Sequence, residues 1–170
     1  MRRSETMVTL VAVAMLGGFC VASTTSAASA APAPPTPKRA LAGVQIKPQA
    51  VGNQCLDVAE ANDGDGALVS LWTCNGSAAQ RWSLVNGRIQ SDLPSHRCLD
   101  VRAGNRRNGT VVGMYRCENV ERQQWRFEGE HIVSGLQSMC LSVLDNNYGD
   151  GAAAVIWACA RHPDQSWETS

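Results

Sequence analysis

Apolar and polar positions alternate with period two along short stretches of the chain. Leu56 and Val58 alternate with Cys55 and Asp57, and Val69 and Leu71 alternate with Ser70 and Trp72. The alternation returns at Leu99, Val101, Val112 and Met114, and again at Leu141, Val143, Ala154 and Ile156. Period two belongs to β-strands that bury one face, so these rows predict strands whose apolar side turns to a core. Between them, Asn-Asp-Gly-Asp-Gly (62–66), Asn-Gly (108–109) and Tyr-Gly-Asp-Gly (148–151) supply left-handed turn residues. Asn86-Gly87 and Glu128-Gly129-Glu130 predict hairpins into Ile89 and Ile132. No segment reads as a helix.

The strands belong to a repeat. Cys55 to Trp82 returns as Cys98 to Trp125 and as Cys140 to Trp167, with a period of 42 to 43 residues. In each copy a second Cys follows the first by 19 positions, a Gly follows it by 11 (Gly66, Gly109, Gly151), and Gln-x-Trp closes the unit. Four short strands per unit would also describe a propeller blade, but propellers use about four to eight blades and three do not close. Three such units closing into a barrel with a hairpin cap form a β-trefoil, an all-β fold. Ile46 stands nine residues ahead of Cys55, as Ile89 does ahead of Cys98, so the chain begins with the strand that the third copy lacks after Trp167. First and last strands are therefore expected to pair. Trp82, Trp125 and Trp167 are expected to form a threefold core layer.

Ahead of the repeats, residues 1–30 resemble a secretory signal peptide. Arg2 and Arg3 precede an apolar run from Val8 to Val21, and Ala28-Ser29-Ala30 has the small-residue pattern of a cleavage site. The run is about 14 residues and is broken by Gly17 and Gly18, short of the roughly 20 that a spanning helix needs. The expected domains are the leader, an Ala/Pro-rich linker over 31–43, and the trefoil over 44–170. A secreted, extracellular protein follows, with no membrane association after cleavage. The formal net charge of the full chain is zero, and without the leader 13 basic and 14 acidic side chains remain. That balance does not point to nucleic acid, whose binders carry a basic excess. Seven arginines lie between Arg97 and Arg126, but six acids lie among or beside them, which reads as a solvated mixed-charge face.

Export gives meaning to the cysteines. Setting Cys20 aside with the leader leaves six, an even number, and the repeat selects Cys55–Cys74, Cys98–Cys117 and Cys140–Cys159 as pairs that treat the copies alike. Zinc is disfavoured because no two of these cysteines have C-x2-C spacing and no histidine recurs with them, so neither metal nor cofactor is expected. If each bridge joins residues directly opposite one another, Asp57 faces Trp72, Asp100 faces Tyr115 and Ser142 faces Trp157, with Cβ atoms roughly 5 Å apart. A carboxylate beside an aromatic ring suits a sugar. A pyranose packs its C–H face on the ring and donates hydroxyls to the carboxylate. The bland alternative is that the acids hold their own turns and the rings cover the bridges.

The Cys-Leu-Asp-Val strand, the aromatic two residues before the second Cys, and the threefold Gln-x-Trp resemble the ricin-type β-trefoil lectins, also classed as family 13 carbohydrate-binding modules. The likeness spans about Val44 to Glu168. It implies non-catalytic binding of galactose, or of xylose and arabinose in plant polysaccharides, at up to three shallow sites. Carried over, the site residues are Asp57, Ser70, Trp72 and Gln80 in the first copy, with Ala79 where the family has Asn. In the second they are Asp100, Tyr115, Arg122 and Gln123, with Gly113 at the polar position. The third keeps Trp157, Asp164 and Gln165 but has Ser142 in place of the carboxylate, and is expected to be silent.

Two other function classes compete. A glycosidase needs two carboxylates about 5 to 9.5 Å apart across a cleft, whereas each unit repeats one, and His96, His131 and His162 fall at unlike places in the repeat. A protein-binding trefoil, either an inhibitor or an accessory subunit of a secreted hydrolase or toxin, would use the Arg102 to Asn108 loop. Its partner would then be a separately encoded secreted enzyme.

Overall fold

The computed structural model describes residues 41–137 and 139–170. The expected leader and most of the linker lie outside the described residues. Leu41 and Gly43 belong to the folded domain and not to the linker: Leu84 N–H donates to Leu41 O at 2.7 Å, and Gly43 N–H donates to Ser83 Oγ at 3.2 Å.

Alternating apolar positions form strands where predicted. The first lobe has β1 (Ile46–Pro48), β2 (Gln54–Val58), β3 (Val69–Thr73) and β4 (Trp82–Val85). The second has β5 (Arg88–Ser91), β6 (Cys98–Val101), β7 (Thr110–Tyr115) and β8 (Trp125–Glu128). The third has β9 (His131–Ser134), β10 (Met139–Val143), β11 (Ala154–Ala158) and β12 (Trp167–Thr169). Single 3₁₀ turns link several of them.

Closure is threefold. β1 pairs with β12 in antiparallel register, Ile46 opposite Thr169, so the first and last strands meet as expected. The hairpins β4–β5 and β8–β9 complete the ring. Three equivalent hydrogen bonds tie the ring together: Trp82 N–H to Val44 O at 2.8 Å, Trp125 N–H to Gly87 O at 2.7 Å, and Trp167 N–H to Glu130 O at 2.8 Å. The hairpins β2–β3, β6–β7 and β10–β11 cap it and touch one another through Leu68 with Gly113, Val111 with Val155, and Ser70 with Ala153. This is a β-trefoil.

Leu56, Val58, Val69 and Leu71 and their counterparts fill the core, where burial of apolar area is the main stabilising term. Trp82, Trp125 and Trp167 form the expected buried layer. Each indole N–H donates to a strand carbonyl 26 residues earlier, Leu56, Leu99 or Leu141, at 2.9 to 3.0 Å, which satisfies a group that would be costly to bury alone.

All three predicted disulfides are present, with Cα atoms 5.0 to 5.1 Å apart. The register they were expected to impose is not. Cys55 stands opposite Trp72, and Asp57 opposite Ser70; likewise Asp100 faces Gly113 and Ser142 faces Val155. The bridge is diagonal because the β2–β3 ladder ends at Thr73, and Cys74 N–H donates to Asn53 O at 2.8 Å, one step beyond. A slip of two residues keeps side chains on the same face. Asp57 and Trp72 thus share a side as expected, but as diagonal neighbours.

Candidate functional site

On the face away from the core, each lobe has a depression at the equivalent place. The first, of about 500 Å³, is lined by Asp57, Ser70, Trp72, Ala79 and Leu68, among others. The second, of about 290 Å³, holds Asp100, Arg102, Gly113, Tyr115 and Arg122. The third, of about 250 Å³, holds Asp145, Trp157, His162, Asp164 and Gln165. The acid and the aromatic predicted for the first two lobes therefore meet in one depression in each.

In the first lobe the ring stands out and the acid is recessed. Trp72 is 46 % exposed and Asp57 only 7 %, so the carboxylate forms part of the floor instead of standing level with the ring. Burial raises the pKa of Asp57, and the Asp150 charge adds to that, while the Gln80 amide opposes it. Among the described residues no basic side chain forms an ion pair with Asp57. Ala79 is buried and lines the depression as a methyl group.

The second lobe has the same groups already engaged. Arg122 Nε donates to Asp100 Oδ2 at 2.9 Å, and its Nη2 donates to Glu118 Oε2 at 2.7 Å. Burial raises the pKa of Asp100, opposed by hydrogen bonds from Gln123 and Arg122 and by the Arg122 charge. Arg116 lies with its guanidinium carbon 5.4 Å from the centre of the Tyr115 ring, a cation–π distance. Gly113 leaves no polar group opposite Asp100, and a Cβ there would stand 2.7 Å from the Ala67 carbonyl oxygen. Beyond the depression, Arg97 pairs with Asp65 at 2.7 Å and Arg106 with Glu121 at 3.1 Å, which is the mixed-charge surface expected of the arginine-rich stretch.

The glutamines of Gln-x-Trp are buried; Gln165 reaches the lining of its depression, and Gln80 and Gln123 do not reach theirs. Gln80, Gln123 and Gln165 are at most 1 % exposed. Gln80 Oε1 accepts from Asn75 N–H at 2.7 Å, and its Nε2 donates to Thr73 O at 3.0 Å. Gln165 bonds Ala160 N–H and Ala158 O in the same way. Gln123 accepts from Glu118 N–H at 2.6 Å and donates to Arg116 O, and its Nε2 also reaches Asp100 Oδ2 at 2.8 Å. These amides brace the loop after the second half-cystine, and Gln80 and Gln123 also bond the strand carboxylates Asp57 and Asp100. At the places expected to contact ligand, their amides are engaged by backbone groups and, in the second lobe, by Asp100.

Sequence reasoning also missed a clamp between lobes. Asp65, Asn108 and Asp150, each just before the repeated glycine, accept the backbone N–H that follows the aromatic of the next lobe. The donors are Arg116 at 2.8 Å, Ala158 at 2.8 Å and Thr73 at 2.6 Å. Gly66, Gly109 and Gly151 have φ of 79° to 84°, the left-handed region that lets the loop turn to make this contact. The signal was present as Asp-Gly, Asn-Gly and Asp-Gly at one position of the repeat.

The family described as ricin-type beta-trefoil lectin domain matches residues 42–167. No curated protein matches the chain. Among solved structures, a designed threefold-symmetric protein, ThreeFoil, is 25 % identical, with a TM-score of 0.67 over 74 % of this chain and 96 % of that one. The C-terminal half of an earthworm R-type lectin, in complex with GalNAc, is 18 % identical with a TM-score of 0.66, covering 76 % and 98 % of the two chains. The β-trefoil lectin of the Vibrio vulnificus hemolysin/cytolysin, with N-acetyl-D-lactosamine bound, is 23 % identical with a TM-score of 0.62, covering 76 % and 94 %.

Proposed function

The chain belongs to the ricin-type β-trefoil lectin domain family, and from that premise we propose that it is a secreted protein that binds carbohydrate without catalysis. The ligands are sugars of the galactose type or of xylan- and arabinan-type plant polysaccharides. The first lobe is the principal site. This reading rests on one observation: a recessed carboxylate, Asp57, without a basic partner among the described residues, and an exposed ring, Trp72, line the same depression.

The ring receives the C–H face of a pyranose, and the ionised Asp57 accepts hydrogen bonds from its hydroxyls. Ser70, opposite Asp57 on β3, adds a hydroxyl at the floor. Gln80 orients the loop and does not touch the sugar. The second lobe binds neutral sugars more weakly, because a ligand must displace Arg122 from Asp100 and share Tyr115 with Arg116. The lectins from earthworm and Vibrio vulnificus with GalNAc or N-acetyl-D-lactosamine bound support a hexose ligand. Three disulfides fit an extracellular destination.

A shallow site with one acid and one ring binds in roughly the millimolar range, about −4 kcal/mol. The test is calorimetric titration with galactose, lactose, xylan and arabinogalactan, with release of reducing sugar followed in parallel. Binding to at least one of them without turnover is expected. No heat with any of the four, or turnover that Asp57→Asn abolishes, would overturn the reading.

A further inference from the structure

The strand that carries Trp72 begins where the three hairpins of the cap meet. Leu68, just ahead of β3, is in line with Ser70 and Trp72 on one face, because side chains repeat every second residue, and Val69 between them is buried. Its equivalents, each 13 positions after the first half-cystine of its lobe, are Val111 and Ala153. At this meeting point Leu68 bridges to Gly113, Val111 pairs with Val155, and Ser70 bridges to Ala153. Leu68 is 51 % exposed, and Val111 and Ala153 are half-buried.

All three line the first depression, together with Asp57 and Trp72, and none of them lines the second or the third. The first lobe therefore has an apolar shelf joined to its acid and ring, to which every lobe contributes. From Leu68 to Trp72 the strand runs about 13 Å, longer than one sugar ring. The depression, at about 500 Å³, falls within the roughly 300 to 1,000 Å³ of sites for larger small molecules. The other two, at about 290 and 250 Å³, fall below it.

We propose that this shelf binds an uncharged apolar substituent attached to the sugar, an alkyl or aryl aglycone, so that the ligand of the first lobe is an amphipathic glycoside. It rests on the reading that Asp57 and Trp72 hold the sugar. The occupant follows from the lining. Leu68, Val111 and Ala153 offer no side-chain hydrogen-bonding group, so a second sugar ring there would give up water from its hydroxyls without side-chain partners in return. The charged residues of the lining are Asp57 and Glu60, both acidic, which disfavours an anionic substituent. An apolar chain avoids both costs and covers a leucine that otherwise stands half in water.

The experiment is calorimetric titration with methyl and hexyl β-galactosides and with methyl and hexyl β-xylosides, with lactose and xylobiose as two-ring probes. A buried methylene gives about fourfold in affinity, so in whichever series binds, the hexyl glycoside is expected to exceed the methyl one at least about tenfold. Its heat-capacity change is expected to be the more negative. Leu68→Ser, at an exposed position, is expected to bring the ratio of the two affinities close to one, and Asp57→Asn to weaken both. Equal affinities in the wild type, or a hexyl advantage that survives Leu68→Ser, overturn the inference and leave the sugar reading standing. A two-ring sugar that gains as much over the methyl glycoside, and loses the gain in Leu68→Ser, gives the shelf to a second ring and overturns the apolar substituent. A dimer in light scattering that Leu68→Ser dissolves gives it to a second copy of the chain and overturns it equally. Silence with all six probes removes the sugar reading as well.

Discussion

The backbone N–H of Thr73 donates to Asp150 Oδ1 at 2.6 Å, and the Thr73 hydroxyl donates to the same atom at 3.0 Å, so a loop of the third lobe holds the strand end that carries Trp72. The depression of the first lobe is thus shared between lobes. Desolvation pushes the Asp150 pKa up, but the hydrogen bonds from Thr73 and Gln54 outweigh it and the pKa is lowered. Its stabilisation is therefore present above the ordinary aspartate value of 3.8 and is lost as pH falls through the lowered pKa. Asp150→Asn is expected to be nearly neutral, because Asn108 makes the equivalent contact in the second lobe. Asp150→Ala should lower the thermal midpoint and weaken sugar binding several-fold. Thermal melts and calorimetry of the two variants measure the difference.

Two tryptophans ten residues apart should respond in opposite ways. Trp72 is 46 % exposed, so Trp72→Ala should leave stability within about 0.5 kcal/mol while weakening sugar binding roughly tenfold. Trp82 is buried and its indole satisfies the Leu56 carbonyl, so Trp82→Ala should cost about 3 to 5 kcal/mol. Urea unfolding and sugar titration of each separate the two roles.

Gln80 links three backbone groups of the loop after Cys74. Gln80→Leu leaves these without their partner in a part-buried setting, at an expected cost of about 1 to 3 kcal/mol. Since the side chain is 0 % exposed, any lost affinity must come through a displaced Asp57. Unfolding curves and the affinity of the residual folded protein are the checks.

Asp57 sets function against stability. Burial above all raises its pKa, so the fold favours the protonated form. That contribution is fully present below the unfolded value of about 3.8 and disappears as pH rises through the raised folded value. Asp57→Asn should therefore melt at the same temperature as the wild type or higher at pH 7, with the advantage shrinking as pH falls through the raised folded value and gone below 3.8. Sugar binding has the reverse dependence. It should fall on acidification with a midpoint above the ordinary aspartate value, read from titrations between pH 3 and 7.

Repeats, core rows and half-cystine pairs are legible in the sequence because each is written three times. The register is not. A bridge is compatible with directly opposed or diagonal partners, and only the end of the ladder at Thr73 decides between them. Site chemistry is legible in kind but not in state. Asp100 looks equivalent to Asp57 until Arg122, 22 residues away, is seen to reach it. Ser142 is legible as a missing carboxylate, but its hydrogen bond to Asp164 is not. The glutamines carry the same letters whatever they bond, and only the fold brings them to the backbone groups of the loop after the second half-cystine.

Recognition by acid and ring in the first lobe is tested most directly by calorimetric titration at pH 7 with whichever sugar the wild type binds. Asp57→Asn is expected to weaken the affinity at least tenfold while the thermal midpoint holds or rises. An affinity unchanged by that substitution would contradict sugar recognition by Asp57 and Trp72.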